Sequence, residues 1–326
     1  MAYDFLSPQL IALAAAQHGV FTSEQARDAG HTQNDIQHLR RRRHLVSVRR
    51  GVYALHATYE GAPPAERQRM RVRALGLVLT APAVLSHQSA AQEHGLDLLD
   101  PDLTLLHVTR PEAAGTREEA GVKHLSAELP DSHVIPRPDG LHLTSVARTA
   151  IDVARDTDRL ECAVAALDSA LRLGTSLHEL REVLERCRNW PGARMASTAL
   201  GLADGRAANP GESWSRVILI RAGLPPLDLQ VPVYDADGLI GYADFGWDGV
   251  LGEQDGRGKY GIGVDTDPEE AGRILWREKK REDRFRDQGW EVARWTFGDH
   301  YRRGVIPTRV RRAQARVLER RRGRGA

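Results

Sequence analysis

The sequence predicts a multidomain α/β protein, and three observations carry that reading. The 326 residues exceed the roughly 100–150 of a typical single domain. The hydrophobic patterning changes along the chain, from short capped helices through a helical stretch over 145–202 to strand-like runs over 229–255. Two breaks, Glu60-Gly61-Ala62-Pro63-Pro64 and Asp204-Gly205-Arg206 through Asn209-Pro210-Gly211, separate those regions. The expected segments are a small helical unit over 1–58, a mixed α/β middle domain over 65–205, an α/β/α domain over 209–299 and a basic Arg-rich tail over 300–326.

The first segment is punctuated by helix signals. Ser7-Pro8 reads as an N-cap followed by Pro at the first helical position. Thr22 with Gln25 fits a capping box, and Thr32 with Asp35 opens a third helix that carries Ile36 and Leu39. Two β-rich runs, Leu45 to Arg49 and Val52 to Leu55, flank Arg50-Gly51 and read as a hairpin. Three short helices and a hairpin predict a winged helix-turn-helix.

Composition narrows the partners. Hydrophobic residues make up 41% and charged residues 28%, an ordinary globular balance. No apolar run approaches the ~20 residues of a membrane helix, and the N-terminus lacks the basic start of a signal peptide. Cys162 and Cys187 form neither a disulfide framework nor a CxxC, so a reduced, cytoplasmic protein without a membrane partner is expected. The net charge of +2 conceals two Arg clusters. Residues 38–53 carry +6 through Arg40, Arg41, Arg42, Arg43, Arg49 and Arg50, and residues 302–326 carry +9, which leaves the remainder at −13. Basic patches on an acidic body point to a polyanion such as DNA. The plainer reading of such runs is a solvated helix face.

The middle segment offers no catalytic constellation. A buried strand is expected within Leu103–Thr109, weaker strands at Val122–Leu125 and His133–Ile135, and helices from Ser145 to Leu202 broken at Asp156, Gly174 and Pro191. His87, His94, His107 and His124 lack ligand spacing with any other His or Cys and read as structural or surface residues.

The most informative stretch runs from Tyr242 to Gly256. Asp248-Gly249 is a two-residue hairpin signal. If it forms the turn, Trp247 faces Val250, Asp244 lies opposite Glu253, and Asp255 shares their face. Like charges at opposed positions are destabilising unless something positive lies between them. Magnesium or manganese would serve, and such an ion activates phosphodiesters toward water. Glu212, at the start of the preceding helix, can add a third carboxylate. Lys259 or Lys279 can supply the cation that steadies a charged transition state. The plainer alternative is an exposed hairpin whose acids are merely solvated.

The same residues carry two resemblances. Glu212, Asp244 in Ala-Asp-Phe, Glu253-Gln254-Asp255-Gly256, Arg277-Glu278-Lys279 and Arg294-Trp295-Thr296 resemble, over about 90 residues, the very-short-patch-repair-like endonuclease domains of the PD-(D/E)xK superfamily. The resemblance implies a restriction-endonuclease-like fold and a Mg-dependent catalytic site of Asp244, Glu253 and Asp255, with Glu212, Asp244 and Glu253 as metal ligands. Two departures stand out. Asp255 occupies the place where that superfamily has lysine, and Gln254 replaces an apolar residue. Val20-Phe21-Thr22, the Thr32–Arg42 helix and Arg49-Arg50-Gly51-Val52-Tyr53 resemble the winged helix of AbiEi-type antitoxins of type IV toxin–antitoxin systems. That likeness implies DNA and a cognate toxin as partners and an antitoxin-like middle domain. Gln33, Asn34 and Gln37 would then meet bases, with Arg40 to Arg43, Arg49 and Arg50 on backbone phosphates.

Two functions follow. One is a DNA-binding protein with a Mg-dependent endonuclease site. The other is a non-catalytic transcriptional regulator and antitoxin whose nuclease-like domain serves as scaffold. An RNA-directed variant is the third and least supported reading.

Overall fold

The computed structural model describes residues 6–79, 83–111, 115–138, 141–224, 228–255 and 268–323. The chain divides into two compact units, Met1–Leu96 with Asp100–Val153, and Asp97–Leu99 with Ala154–Ala326.

The first unit opens with α1 (Pro8–Ala16), β1 (Val20–Thr22), α2 (Ser23–Asp28), α3 (Gln33–Arg41), β2 (Leu45–Arg49) and β3 (Val52–Leu55). These helices start where a side chain can bond an otherwise free backbone N–H. Ser7 caps α1 ahead of Pro8, and Thr22–Gln25 and Thr32–Asp35 form reciprocal capping boxes on α2 and α3. The strands make an antiparallel sheet in the order β1-β3-β2, and Gly51 takes φ +77° in the β2–β3 turn. Leu10, Phe21, Ile36, Leu39, Leu45 and Tyr53 are buried together beneath it.

Next come α4 (His56–Gly61) and α5 (Pro64–Gly76), so the expected linker narrows to Ala62-Pro63 between two helices. Then follow β4 (Ala83–Leu85), α6 (His87–His94), β5 (Leu106–Thr109), β6 (Arg117–Glu119), β7 (Val122–Leu125), β8 (Val134–Ile135) and β9 (Leu141–Thr144). They build a mixed sheet in the order β6-β7-β5-β4-β9-β8. The histidines here serve packing: the buried rings of His87 and His107 stack at 5.8 Å, and His94 Nε2 lies 2.7 Å from the Thr144 carbonyl. Burial, helped by Arg110, pushes His124 below the usual imidazole range.

The division between the units falls inside α7 (Val146–Arg155). After it come α8 (Leu160–Arg172), α9 (Leu177–Arg186), α10 (Ala193–Leu200) and α11 (Pro210–Arg221). The Gly/Pro break at 204–211 lies inside the second unit, and a buried ion pair links the helices on either side of it. Arg216 on α11 meets Asp168 on α8 at 2.6 Å, and Ser213 Oγ and the Asp204 N–H each donate to the same carboxylate at 2.7 Å. Breaking such a pair strands a buried charge, so α8 and α11 belong to one body. Residues 97–99 join it: Ser169 Oγ accepts from the Asp97 N–H at 2.9 Å, and Leu99 packs with Ala165 and Trp214.

A four-stranded sheet completes this unit. Its strands are β10 (Asp228–Asp235), β11 (Gly238–Trp247), β12 (Val250–Asp255) and β13 (Glu291–Thr296), in that spatial order, with α12 (Pro268–Asp287) between the last two. The β12–β13 pairing is parallel and the others are antiparallel. A 3-10 turn, Phe297–Tyr301, leads into α13 (Val305–Gly323). Phe285 of α12 packs with Leu251 and Val292, whereas Leu219 of α11 and residues of α13 pack with Phe245, Val250 and Trp295. The alternation of side chains along β12 and β13 therefore places helices on both faces of the sheet. The segment expected as a basic tail is α13. Its Ile306, Val310, Ala313 and Val317 recur at helical spacing and are buried.

Candidate functional site

Asp248-Gly249 forms the β11–β12 turn, with Trp247 opposite Val250, Gly246 opposite Leu251 and Phe245 opposite Gly252. Carried one rung further, the same register sets Asp244 against Glu253. Both carboxylates are buried, at 5% and 3% exposure, so a merely solvated hairpin face does not describe them. Asp244 Oδ2 accepts the Gln254 backbone N–H at 2.7 Å. The parallel register places Glu253 beside Arg294 and Asp255 beside Thr296.

Two guanidiniums answer the gathered negative charge. Arg281 Nη2 lies 2.9 Å from Glu253 Oε1, in ion-pair contact without the alignment of a hydrogen bond. Arg294 Nη2 lies 3.3 Å from Glu253, 3.0 Å from Asp255 and 3.3 Å from Glu278, and its Nη1 reaches Glu282 at 2.7 Å. Burial still outweighs both cations and pushes the Glu253 carboxyl up to about 7, with Asp244 and Glu278 adding to the rise.

Glu212 is placed by the first turn of α11, where Asn209 caps the helix and Pro210 begins it. It is buried and accepts from the Ala208 N–H at 2.7 Å, Asn209 Nδ2 at 2.7 Å and Gln230 Nε2 at 3.0 Å. Gln230 takes φ +51° in β10, between the rungs Leu229–Phe245 and Val231–Ala243. Glu212 is thereby tied to the stretch of sheet that holds Asp244. Lys279 is exposed on α12, and Lys259 lies outside the described residues. Sequence reasoning gave no role to Arg281 or Arg294. The Glu278–Arg281 spacing was a local signal, but the Glu253–Arg294 neighbourhood arises from a parallel pairing across 41 positions.

The donor chemistry suits a hard cation in part. Magnesium takes one or two carboxylates and keeps several waters, which Asp244 and Glu253 can satisfy. Among the described residues, however, no three His, Cys, Asp or Glu side chains converge as a metal-holding group. Gln254 faces the opposite side of β12, at 1% exposure, with neither amide atom hydrogen-bonded. It presses against the start of α11, where a Cβ on Gly211 would come 2.9 Å from its Oε1.

A second candidate site is the outer face of α3. Ile36 and Leu39 are buried, while Gln33, Asn34, Gln37, Arg40 and Arg41 are exposed, as are Arg42, Arg43 and Arg50 beyond it. Arg40 also stacks over the Tyr53 ring at 5.7 Å. Arg49 is turned differently: it is half-buried, its Nη1 reaches the Ala120 carbonyl at 3.5 Å, and burial beside Arg71 lowers its pKa.

Residues 8–56, which hold α1 to β3, match the family described as transcriptional regulator, AbiEi antitoxin. Two relatives are the uncharacterized proteins MT2308 and Rv2248 of Mycobacterium tuberculosis, strains CDC 1551 and H37Rv. Each is 31% identical over 178 residues, covering 54% of this chain and 63% of the relative. The chain thus spans less than two thirds of the length of these curated relatives. Among solved structures, the RV2827C protein from Mycobacterium tuberculosis is similar with a TM-score of 0.40 at 17% identity, covering 70% of this chain and 87% of that one. No helix among the described residues is long and apolar enough to cross a membrane.

Proposed function

We propose that this protein is a DNA-binding transcriptional regulator of the antitoxin type, whose N-terminal winged helix reads an operator through α3. The observation that carries the reading is the split of α3 into a buried Ile36–Leu39 side and an exposed side of Gln33, Asn34 and Gln37 that runs into Arg40 to Arg43. Amide side chains on a helix in the major groove bond base edges in pairs, and the arginines that follow meet phosphates. The Arg50-Gly51 turn would be the wing. A cognate toxin is the expected protein partner, and a nucleotidyltransferase-like product of the neighbouring gene would support that assignment. Electrophoretic mobility shift with the DNA upstream of the protein's own gene tests the reading. Binding there that is no tighter than to unrelated duplex would sink it.

A second reading, a Mg-dependent endonuclease with a restriction-endonuclease-like fold, is favoured by one observation: Asp244 and Glu253 are buried in opposition and Glu253 is only partly compensated. Asp244 and Glu253 would hold the ion, with Glu212 nearby, and the ion would supply Lewis-acid polarisation of a phosphodiester. Arg281, Arg294 and Lys279, with Lys259, would offer positive charge to the phosphate, and Asp255 would hold Arg294 in place. Incubation with single-stranded, duplex and mismatched DNA in Mg²⁺, Mn²⁺ or EDTA tests it. Cleavage that persists in Asp244→Ala/Glu253→Ala would rule out this site as its source.

A further inference from the structure

The second unit holds a surface groove that neither reading uses. It has a volume of about 620 Å³ and is lined by α11, the 3-10 turn and the start of α13, with Trp214, Arg221, Tyr301, Arg302 and Arg303 among its walls. Its floor is aromatic and held in place. The Trp214 ring lies 4.6 Å from that of His300 and meets Tyr301 edge-on at 4.9 Å. Ser215, the next residue on α11, accepts Trp295 Nε1 at 2.8 Å and lies 2.8 Å from His300 Nε2. Burial holds His300 below the usual imidazole range, so the floor is uncharged near neutral pH. Tyr301, by contrast, leaves 59% of its surface open.

The rim is cationic. Arg221 and Arg302 are 60% and 72% exposed at the side chain and, among the described residues, make only long pairings, 3.7 Å to Glu161 and 3.8 Å to Asp299. Both acids are engaged elsewhere, Glu161 with Arg159 at 3.0 Å and Asp299 with Arg309 at 3.0 Å. Arg303 is exposed and has no ionic partner among the described residues.

We propose that this groove binds a single strand of nucleic acid, with one base stacked on Tyr301 and the flanking phosphates on Arg221, Arg302 and Arg303. An exposed ring among cations matches a polymer that repeats a flat face and a charge. A duplex keeps its base faces inside its own stack, and an acidic peptide would leave Tyr301 idle.

The test uses the full chain, EDTA, and a labelled oligo-dT of about 15 nucleotides followed by fluorescence anisotropy. Tyr301→Ala should weaken binding about tenfold while Tyr301→Phe keeps it. Arg303→Glu should weaken binding and flatten its salt dependence. Tyr301→Ala should leave the mobility shift of the operator duplex unchanged, which separates this site from operator recognition. Parent-like affinity in both Tyr301→Ala and Arg303→Glu would overturn the proposal. So would loss of the operator-duplex shift in Tyr301→Ala, or displacement of oligo-dT by poly-glutamate at equal charge concentration.

Discussion

Glu253 is ionised with difficulty, and that has a measurable consequence. Its carboxyl ordinarily titrates near 4.5 and is raised to about 7 in the fold. Between those values the folded chain holds a proton that the unfolded chain has released, so stability falls as pH rises through that window and levels off above it. The loss is on the order of 3 kcal/mol. Glu253→Gln should remove most of this slope, read as urea midpoints at about pH 5 and about pH 8. Equal slopes in parent and variant would show that Glu253 does not carry it. Gln254 is the neighbouring liability: a buried amide without partners forfeits its solvation for nothing in return. Gln254→Leu should raise stability by about 1 kcal/mol or more, and an unchanged or lower urea midpoint would argue against an unsatisfied amide.

Two helices make contrasting predictions. On α3, Gln37→Ala should cost about 1–3 kcal/mol against the preferred operator and little against random duplex. Arg41→Ala should weaken both alike and lower the salt slope by about one. A Gln37→Ala variant that weakens both probes equally would remove Gln37 from the base-reading set. The terminal helix behaves as a core element. Its Val310 and Val317 are buried beside Trp247 and Trp295, so a chain ending at Tyr301 exposes those indoles. Near-UV circular dichroism should show the aromatic signal lost in that truncation, and a retained signal would mean α13 is dispensable. These helices also mark how far the sequence could be read. Capping boxes and a two-residue turn are local chemistry, so α2, α3 and the β11–β12 hairpin were legible. The amphipathic stripe of α13 is hidden in the sequence because seven arginines surround four apolar positions. β4, β6 and β9 have three or four residues, too few to show a period. Arg294 became part of the acid cluster only through a parallel pairing, which no local pattern encodes.

Across the molecule, charge is distributed differently from its linear pattern. Much of the C-terminal arginine cluster is consumed internally: Arg309 by Asp299, Arg316 and Arg320 by Glu291, and Arg321 by Asp248. The α3 region keeps Arg41, Arg42 and Arg43 exposed. Operator binding should therefore show a salt slope set by α3 and the wing. Replacing Arg316 and Arg320 by Gln should leave that slope intact, as measured by filter binding across a salt series. A slope lowered by two would return those arginines to the DNA-contacting surface.

Asp97 to Leu99 have a further consequence, for inheritance rather than for binding. Three residues of the second unit are encoded inside the stretch that encodes the first. A gene fusion or recombination event that joins a foreign regulator at any point between codons 100 and 153 keeps the incoming sequence's own segment in place of Leu99, which packs with Ala165 and Trp214. The two units can be exchanged cleanly only if that short segment travels with its distant partners, so related chains should trade these units as a pair more readily than one at a time.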